Sequence, residues 1–202
     1  MSVPMRIGNR HRWWLPLAAR RMRPLLNPTH PSVRALPMIE RIRDLEERDL
    51  TALTAIYNDA VAHTTAIWNE RLVDIDERRG WHAQRLAQGF PVLAAVDAQD
   101  RLLGYATYGA WRPHDGYRLT VEHSVYVDAA HRGAGIGRAL MLALIERAEA
   151  QGMHVMVAGI DAANHGSIAL HQRLGFVETG TLREVGTKFG RWLDLTFMQK
   201  VL

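Results

Sequence analysis

Three places in the chain hold residues whose types and spacing could do chemistry. The most specific is His131-Arg-Gly-Ala-Gly-Ile-Gly-Arg138, with glycines at alternate positions between a strand pattern and a helix pattern. Gly133, Gly135 and Gly137 let the backbone approach a ligand closely and turn several N–H groups toward one point. The helix that follows adds unpaired N–H groups and a partial positive charge, so a phosphate is the natural guest. Arg132 and Arg138 add cationic reach, while a mere tight turn would need one glycine. The spacing is not the Gly-x-Gly-x-x-Gly of dinucleotide-binding folds, and no Gly-Lys-Ser/Thr suggests a nucleotide loop.

The second place is the strand pattern at residues 118–127. Thr120, Glu122, Ser124 and Tyr126 share one face, and Val121, His123, Val125 and Val127 the other. The second set reads as core, with His123 the exception. A partly buried Glu122 would have a raised pKa and suit general-base work. It could equally be a strand-face carboxylate paired with Arg118 or Arg112. The third place is Asn164 and Ser167 at the start of a short helix, residue types that cap helices and that can also bond a ligand.

Positioning these groups calls for regular elements, and the pattern supplies them from Ile39 onward. A short strand at 39–44 precedes a helix capped by Asp49, in which Leu50, Leu53, Ile56, Tyr57, Ala60 and Val61 share a face. A second helix covers 74–88. Residues 91–96 and 102–108 read as a hairpin across Asp97-Ala-Gln-Asp100. After the 118–127 strand come a helix at 138–151, a strand at 154–160, a helix at 167–174, and strands at 177–184 and 193–201. The fold class is α/β, one mixed β-sheet flanked by helices.

Composition narrows the function classes. The chain has 202 residues, 48% apolar and 23% charged, and no cysteine, which excludes disulfides, thiolate metal sites and a cysteine nucleophile. No apolar run reaches the roughly 18–20 residues that span a bilayer. Residues 1–38 hold seven arginines, no Asp or Glu, and six of the eight prolines. They read as a disordered leader, with Met38 as the start of translation. Since the whole chain is +4 and this segment is +7, residues 39–202 carry −3. The basic character therefore lies outside the domain, against a nucleic-acid-binding face. The ten histidines form no spaced cluster with carboxylates, so no metal is expected.

Arg132-Gly-x-Gly-Ile-Gly after a strand resembles the pyrophosphate-binding motif of the GCN5-related N-acetyltransferase (GNAT) superfamily. Asn164, Ser167 and Leu174-Gly-Phe resemble that superfamily's next segment. Ile56-Tyr-Asn-Asp-Ala-Val, Thr120-Val-Glu-His-Ser-Val-Tyr-Val and Val185-Gly-Thr-Lys-Phe-Gly-Arg-Trp-Leu-Asp-Leu-Thr-Phe-Met-Gln are similar to the phosphinothricin/methionine sulfoximine acetyltransferase group. Thr64-Thr-Ala-Ile-Trp-Asn-Glu and Lys188-Phe-Gly-Arg-Trp are nearer its methionine sulfone/sulfoximine members. The likeness covers residues 39–202.

The resemblance implies transfer of an acetyl group from acetyl-CoA to the amine of a small amino-acid-like substrate, in a detoxifying, cytoplasmic homodimer. It makes Glu122 the general base and puts His171 where the superfamily often carries a tyrosine acid, as a second catalytic candidate whose imidazole could serve as acid or help the base. It implies that Val125, Tyr126, Val127, Arg132, Gly133, Ala134, Gly135, Ile136, Gly137 and Arg138 hold the cofactor, with Asn164 and Ser167 on the pantetheine arm. The Val125 N–H is the expected oxyanion donor. The acceptor site is expected from Arg112, whose guanidinium matches a carboxylate fork, with Pro113, His114, Glu122, His123, Ser124, Trp68 and Lys188. Trp68 and Trp111 suit core packing as well. Other classes compatible with the residues are a protein N-terminal or polyamine acetyltransferase and a CoA sensor without turnover.

Overall fold

The structure, a computed structural model, describes residues 39–202, so the reading of residues 1–38 lies outside the described residues. In chain order the elements are β1 (Arg41–Asp44), α1 (Leu50–His63), α2 (Ile75–Ala87), β2 (Val92–Val96), β3 (Leu102–Ala110) and β4 (Thr120–Val127). They continue with α3 (Ile136–Ala150), β5 (Val155–Asp161), α4 (His165–Arg173), β6 (Val177–Lys188) and β7 (Arg191–Val201). The strands form one seven-stranded sheet in the order β1-β2-β3-β4-β5-β7-β6. Every neighbouring pair is antiparallel except β4–β5. The expected mixed α/β sheet is what forms.

Alternation along the strands explains why helices cover both faces. On β2, Leu93 and Ala95 join a core with Ile136, Leu140, Met141, Leu144 and Ala148 of α3. Val92, Ala94 and Val96 point the other way, to Leu50, Leu53 and Ile56 of α1. A strand buried on both faces reads as a continuous apolar run. The α1 face predicted from spacing is the buried one, from Leu50 through Val61.

Two local expectations are corrected. Asp49 does not cap α1: a short 3-10 turn at Glu47–Asp49 runs directly into the helix and leaves Asp49 in helical geometry, φ −83° and ψ −16°. A capping residue needs an extended backbone to turn its side chain onto the first turn. The Asp49 carboxylate instead accepts from the Glu46 N–H at 2.8 Å and from Arg43 at 2.6 and 3.0 Å. The last two strands are longer than the pattern suggested, meeting at a two-residue turn in which Phe189 (φ 51°) and Gly190 (φ 69°) are both left-handed. That conformation matches the twist of a tight hairpin.

The feature that makes room for a site is a split in the sheet. β4 stays in register with β3 from Val121 to Val127, but pairs with β5 only from Thr120↔Val155 to Glu122↔Val157. Beyond Glu122 the two strands part.

Candidate active site

Backbone bonding decides what lines the split. Trp111 N–H donates to the Thr120 carbonyl and Asp128 N–H to the Leu103 carbonyl. With the β3–β4 register, this makes the even-numbered residues of β4 those that bond β3. Val125 and Val127 therefore direct N–H and C=O toward β5, where no strand follows. The arrangement supplies polar backbone in a cleft without any special side chain.

One end of the cleft is a groove of about 690 Å³ lined by Val125, Val127, the glycine turn, Arg138, Asn164, Ser167 and Arg173. Gly133 and Gly135 take φ values of +80° and +81°, a left-handed geometry that favours glycine. Gly135 caps α3, which begins at Ile136, two residues earlier than expected. The Ile136 side chain is buried, so only its backbone faces a ligand. Ala134 is exposed at the turn. Arg132 is committed: its guanidinium bonds Asp59 of α1 at 3.1 Å and the Val127 carbonyl at 3.3 Å, fixing the turn against α1. Asn164 caps α4 by accepting from Ser167 N–H at 3.1 Å and also lines the groove, so the two readings of this residue coexist.

The groove continues into a cavity of about 350 Å³ bounded by Ala66, Glu122, His123, Ser124, Tyr126, Asp161 and His171. A glycine on β5 makes room for Glu122. Gly109 is the cross-strand partner of Glu122, and on the β5 side a side-chain carbon at Gly159 would lie 3.1 Å from Glu122 Oε1. The carboxyl opens on the cavity, but surrounding protein desolvates it and raises its pKa, with Arg112 and then Arg85 acting in the opposite direction.

His123 and His171 meet on the other side of the strand. His171 Nδ1 lies 2.7 Å from the Ser167 carbonyl, which can only accept, so Nδ1 carries the proton. His171 Nε2 then accepts across 3.0 Å from His123 Nε2–H. This network assigns both tautomers and leaves the buried His123 Nδ1 as an acceptor without a partner. Burial, and secondarily His171, pushes His123 down to about 3; burial also lowers His171. Both rings are held neutral. His123, expected on substrate, is stacked on His171 with ring centroids 5.0 Å apart.

The remaining expected acceptor residues scatter. Arg112, Pro113 and His114 are exposed in the loop after β3, with the Arg112 guanidinium 4.4 Å from the Trp111 ring centroid. Trp68 donates from Nε1 to the Thr65 carbonyl at 2.9 Å and lies against Gly186, whose missing side chain makes the space. Lys188 is buried, its ammonium bonded to the Thr64 carbonyl at 2.8 Å and to the Ile67 carbonyl. It pins the loop that carries Ala66 and is not directed at the cavity. The Tyr126 ring packs on Tyr105 and Tyr57, at 5.3 and 6.4 Å between centroids.

Sequence reasoning missed Asp161, Arg173 and Arg85. Asp161 ends β5, lines the cavity, and accepts from Thr65 Oγ1 and from Ala163 N–H at 3.0 Å. Arg173 was findable, because Gly166, Leu170 and Arg173 repeat at helical spacing on the face of α4 that lines the groove. Arg85 carried no local signal.

A family model described as acetyltransferase (GNAT) family matches residues 39–176. The chain belongs to that family. Among its GNAT relatives, the L-methionine sulfoximine/L-methionine sulfone acetyltransferase of Pseudomonas aeruginosa is 59% identical over 162 residues, 80% of this chain and 94% of the relative. The phosphinothricin N-acetyltransferase of Alcaligenes faecalis is 41% identical over 162 residues, 80% of this chain and 82% of the relative. Two solved GNAT-fold structures are close in shape. A ribosomal-protein-alanine N-acetyltransferase from Brucella melitensis matches with TM-score 0.79 and 56% identity, covering 80% of this chain and 99% of that one. Salmonella typhimurium yncA, solved with its cofactor acetyl-CoA, matches with TM-score 0.78 and 53% identity, covering 80% and 93%.

The site fits acetyl-CoA. Left-handed glycines at a helix start, flanked by Arg138 and Arg173, suit a diphosphate. The unpaired edge of β4 suits an arm that carries amides, and the cleft ends beside Glu122.

Proposed function

We propose that this protein is an acetyl-CoA-dependent N-acetyltransferase acting on the α-amine of small amino-acid-like substrates: methionine sulfone, methionine sulfoximine or phosphinothricin. The observation that carries the reading is a single cleft running from the glycine turn, past the unpaired N–H of Val125, to a desolvated carboxyl at Glu122. The relatives' named substrates support the choice of acceptor.

Bound acetyl-CoA supplies the activated acetyl thioester. The groups of this chain do the rest. An aliphatic amine is mostly ammonium at neutral pH, and Glu122 takes its proton, directly or through water. The amine then bonds the acyl carbon, the Val125 N–H stabilises the charge that develops on the acyl oxygen, and the C–S bond breaks. As the C–S bond breaks, the attacking nitrogen gives up its second proton to the departing CoA thiolate, so neutral amide and thiol leave, and Glu122 returns the first proton to water. His171 contributes position: with Nδ1–H held by Ser167, it orients His123 and keeps a neutral wall behind the strand.

Exposed apolar side chains on the last hairpin, Val177, Leu182, Val185, Phe189 and Trp192, support a homodimer. We place that dimer in the cytoplasm, in detoxification of amino-acid analogues. The deciding assay follows thiol release from acetyl-CoA with methionine sulfone, a polyamine and a peptide with N-terminal alanine as competing acceptors. Methionine sulfone should be preferred by at least tenfold in kcat/KM. Preference for the peptide would transfer the acceptor assignment to protein N-termini.

A further inference from the structure

We propose that Arg85 of α2 binds the carboxylate of the amino-acid acceptor, holding the acceptor's amine over Glu122. The inference deepens the reading above and rests on it. Gly109 is what makes the arrangement possible: a side-chain carbon at that position would lie 1.6 Å from Arg85 Nη1 and 2.7 Å from its Cζ. The guanidinium thus lies across β3 in the space where any other residue would have a side chain.

That space adjoins Glu122. Gly109 and Glu122 are directly opposite in the β3–β4 register and belong to the hydrogen-bonded set of pairs, so their Cα atoms are about 5.5 Å apart. Opposed residues share a sheet face, which puts the Arg85 guanidinium and the Glu122 carboxyl side by side on the α1–α2 side. An α-amino acid carries its ammonium and carboxylate on one carbon. A cation and a carboxylate set beside each other on one surface match those two charges in the right order.

Arg85 is also at liberty to do this. Among the described residues its guanidinium makes no side-chain hydrogen bond and no ion pair within 4 Å, whereas Lys188 and Arg118 are engaged. Lys188 is spent on backbone carbonyls. Arg118 bonds the Asp115 carbonyl at 3.4 Å from an exposed loop. Arg112 acts more strongly than Arg85 on the Glu122 carboxyl, but it is exposed in a loop, over its own neighbour Trp111, and not held on a regular helix. Arg85 is half-buried, on a regular helix, with Trp81 one turn earlier providing a ring 5.8 Å from its Cζ. A cation held by packing, with its donors unspent, is preorganised for an anion.

The test compares methionine sulfone with 3-(methylsulfonyl)propan-1-amine, which is the same molecule without the carboxylate. In Arg85→Gln, kcat/KM for methionine sulfone should fall at least tenfold more than kcat/KM for the decarboxylated amine, which shares any effect of the lost charge on Glu122, while KM for acetyl-CoA stays within twofold. Gly109→Ala should reproduce the selective loss with Arg85 still present, because the new methyl displaces the guanidinium; Arg85→Lys should fall between. Equal losses for the two amines in Arg85→Gln would overturn the assignment while leaving the enzymatic reading intact. Wild-type protein that binds acetyl-CoA but releases no thiol with methionine sulfone would remove the acceptor reading itself, and this inference with it.

Discussion

The carboxyl of Glu122 and the imidazole of His123 occupy adjacent positions on one strand, and burial moves their proton affinities in opposite directions. Desolvation raises Glu122, against the pull of Arg112 and Arg85. A base with a raised pKa loses its working, ionised form as pH falls, so kcat/KM should drop tenfold per pH unit on the acid side, through an apparent pKa above the ordinary glutamate value near 4.3. Glu122→Gln should remove that limb and lower kcat/KM by about 10²–10⁴-fold. Its melting temperature at pH 7.5 should be unchanged or higher, because the amide carries no charge to desolvate. An activity loss accompanied by a collapse of the melting temperature would instead make Glu122 a structural residue. For His123 the sign is reversed. The unfolded chain takes up its proton near pH 6.5 and the folded chain only near 3, so folding stability declines as pH falls between those values. The decline approaches about 1.4 kcal/mol per pH unit for each histidine kept neutral. In His123→Leu, thermal unfolding followed from pH 7 to 4 should show a shallower loss than the wild type, and an identical slope would contradict the neutral pair.

At the scale of elements, what could be read in the sequence depended on how local the cause was. The α1 core face, the hairpin of β2 and β3, and the glycine turn follow from spacing within a few residues, and the structure shows them where spacing put them. The split between β4 and β5 left no local trace, because it depends on a parallel crossover and on Gly159 making room for Glu122. Arg85 was invisible for the same reason: its meaning comes from Gly109, on a strand reached only through β2. His123 stood out as a polar residue on an apolar face, but its partner lies 48 residues away. The glycine turn provides a test in which stability and function separate. Gly137 sits in the first turn of α3 with ordinary φ, and a methyl there would touch Leu170 and Val127 at 3.7 Å, a normal contact. Gly137→Ala should therefore leave the fold intact or stabilise it by up to about 0.5–1 kcal/mol, since alanine loses less entropy in a helix. If the groove holds the CoA diphosphate, the same methyl narrows it, and calorimetry should show acetyl-CoA binding at least fivefold weaker. A variant that is more stable and binds unchanged would place the diphosphate elsewhere.

For the molecule as a whole, charge and ligand are at odds, which locates the electrostatics. Residues 39–202 carry −3, yet the proposed co-substrate is an anion. Attraction must then come from the few groups at the groove, Arg138, Arg173 and the start of α3, acting over about a Debye length, roughly 8–10 Å at physiological salt. The seven arginines of residues 1–38 offer a rival source of long-range steering, since a +7 segment tethered to the domain would raise the local concentration of any anion. The two sources separate in a chain beginning at Met38. The family match begins at residue 39, and the 59% identical relative aligns over 80% of this chain and 94% of its own length, so the activity should reside in the remaining domain. That shortened chain should keep kcat and the acetyl-CoA KM within about twofold, with the same salt dependence of kcat/KM between 50 and 300 mM. Replacing Arg138 and Arg173 by glutamine should flatten that salt dependence instead. A tenfold rise in acetyl-CoA KM on removing residues 1–38, with the arginine replacements silent, would move the cofactor's attraction from the groove to the segment before the domain.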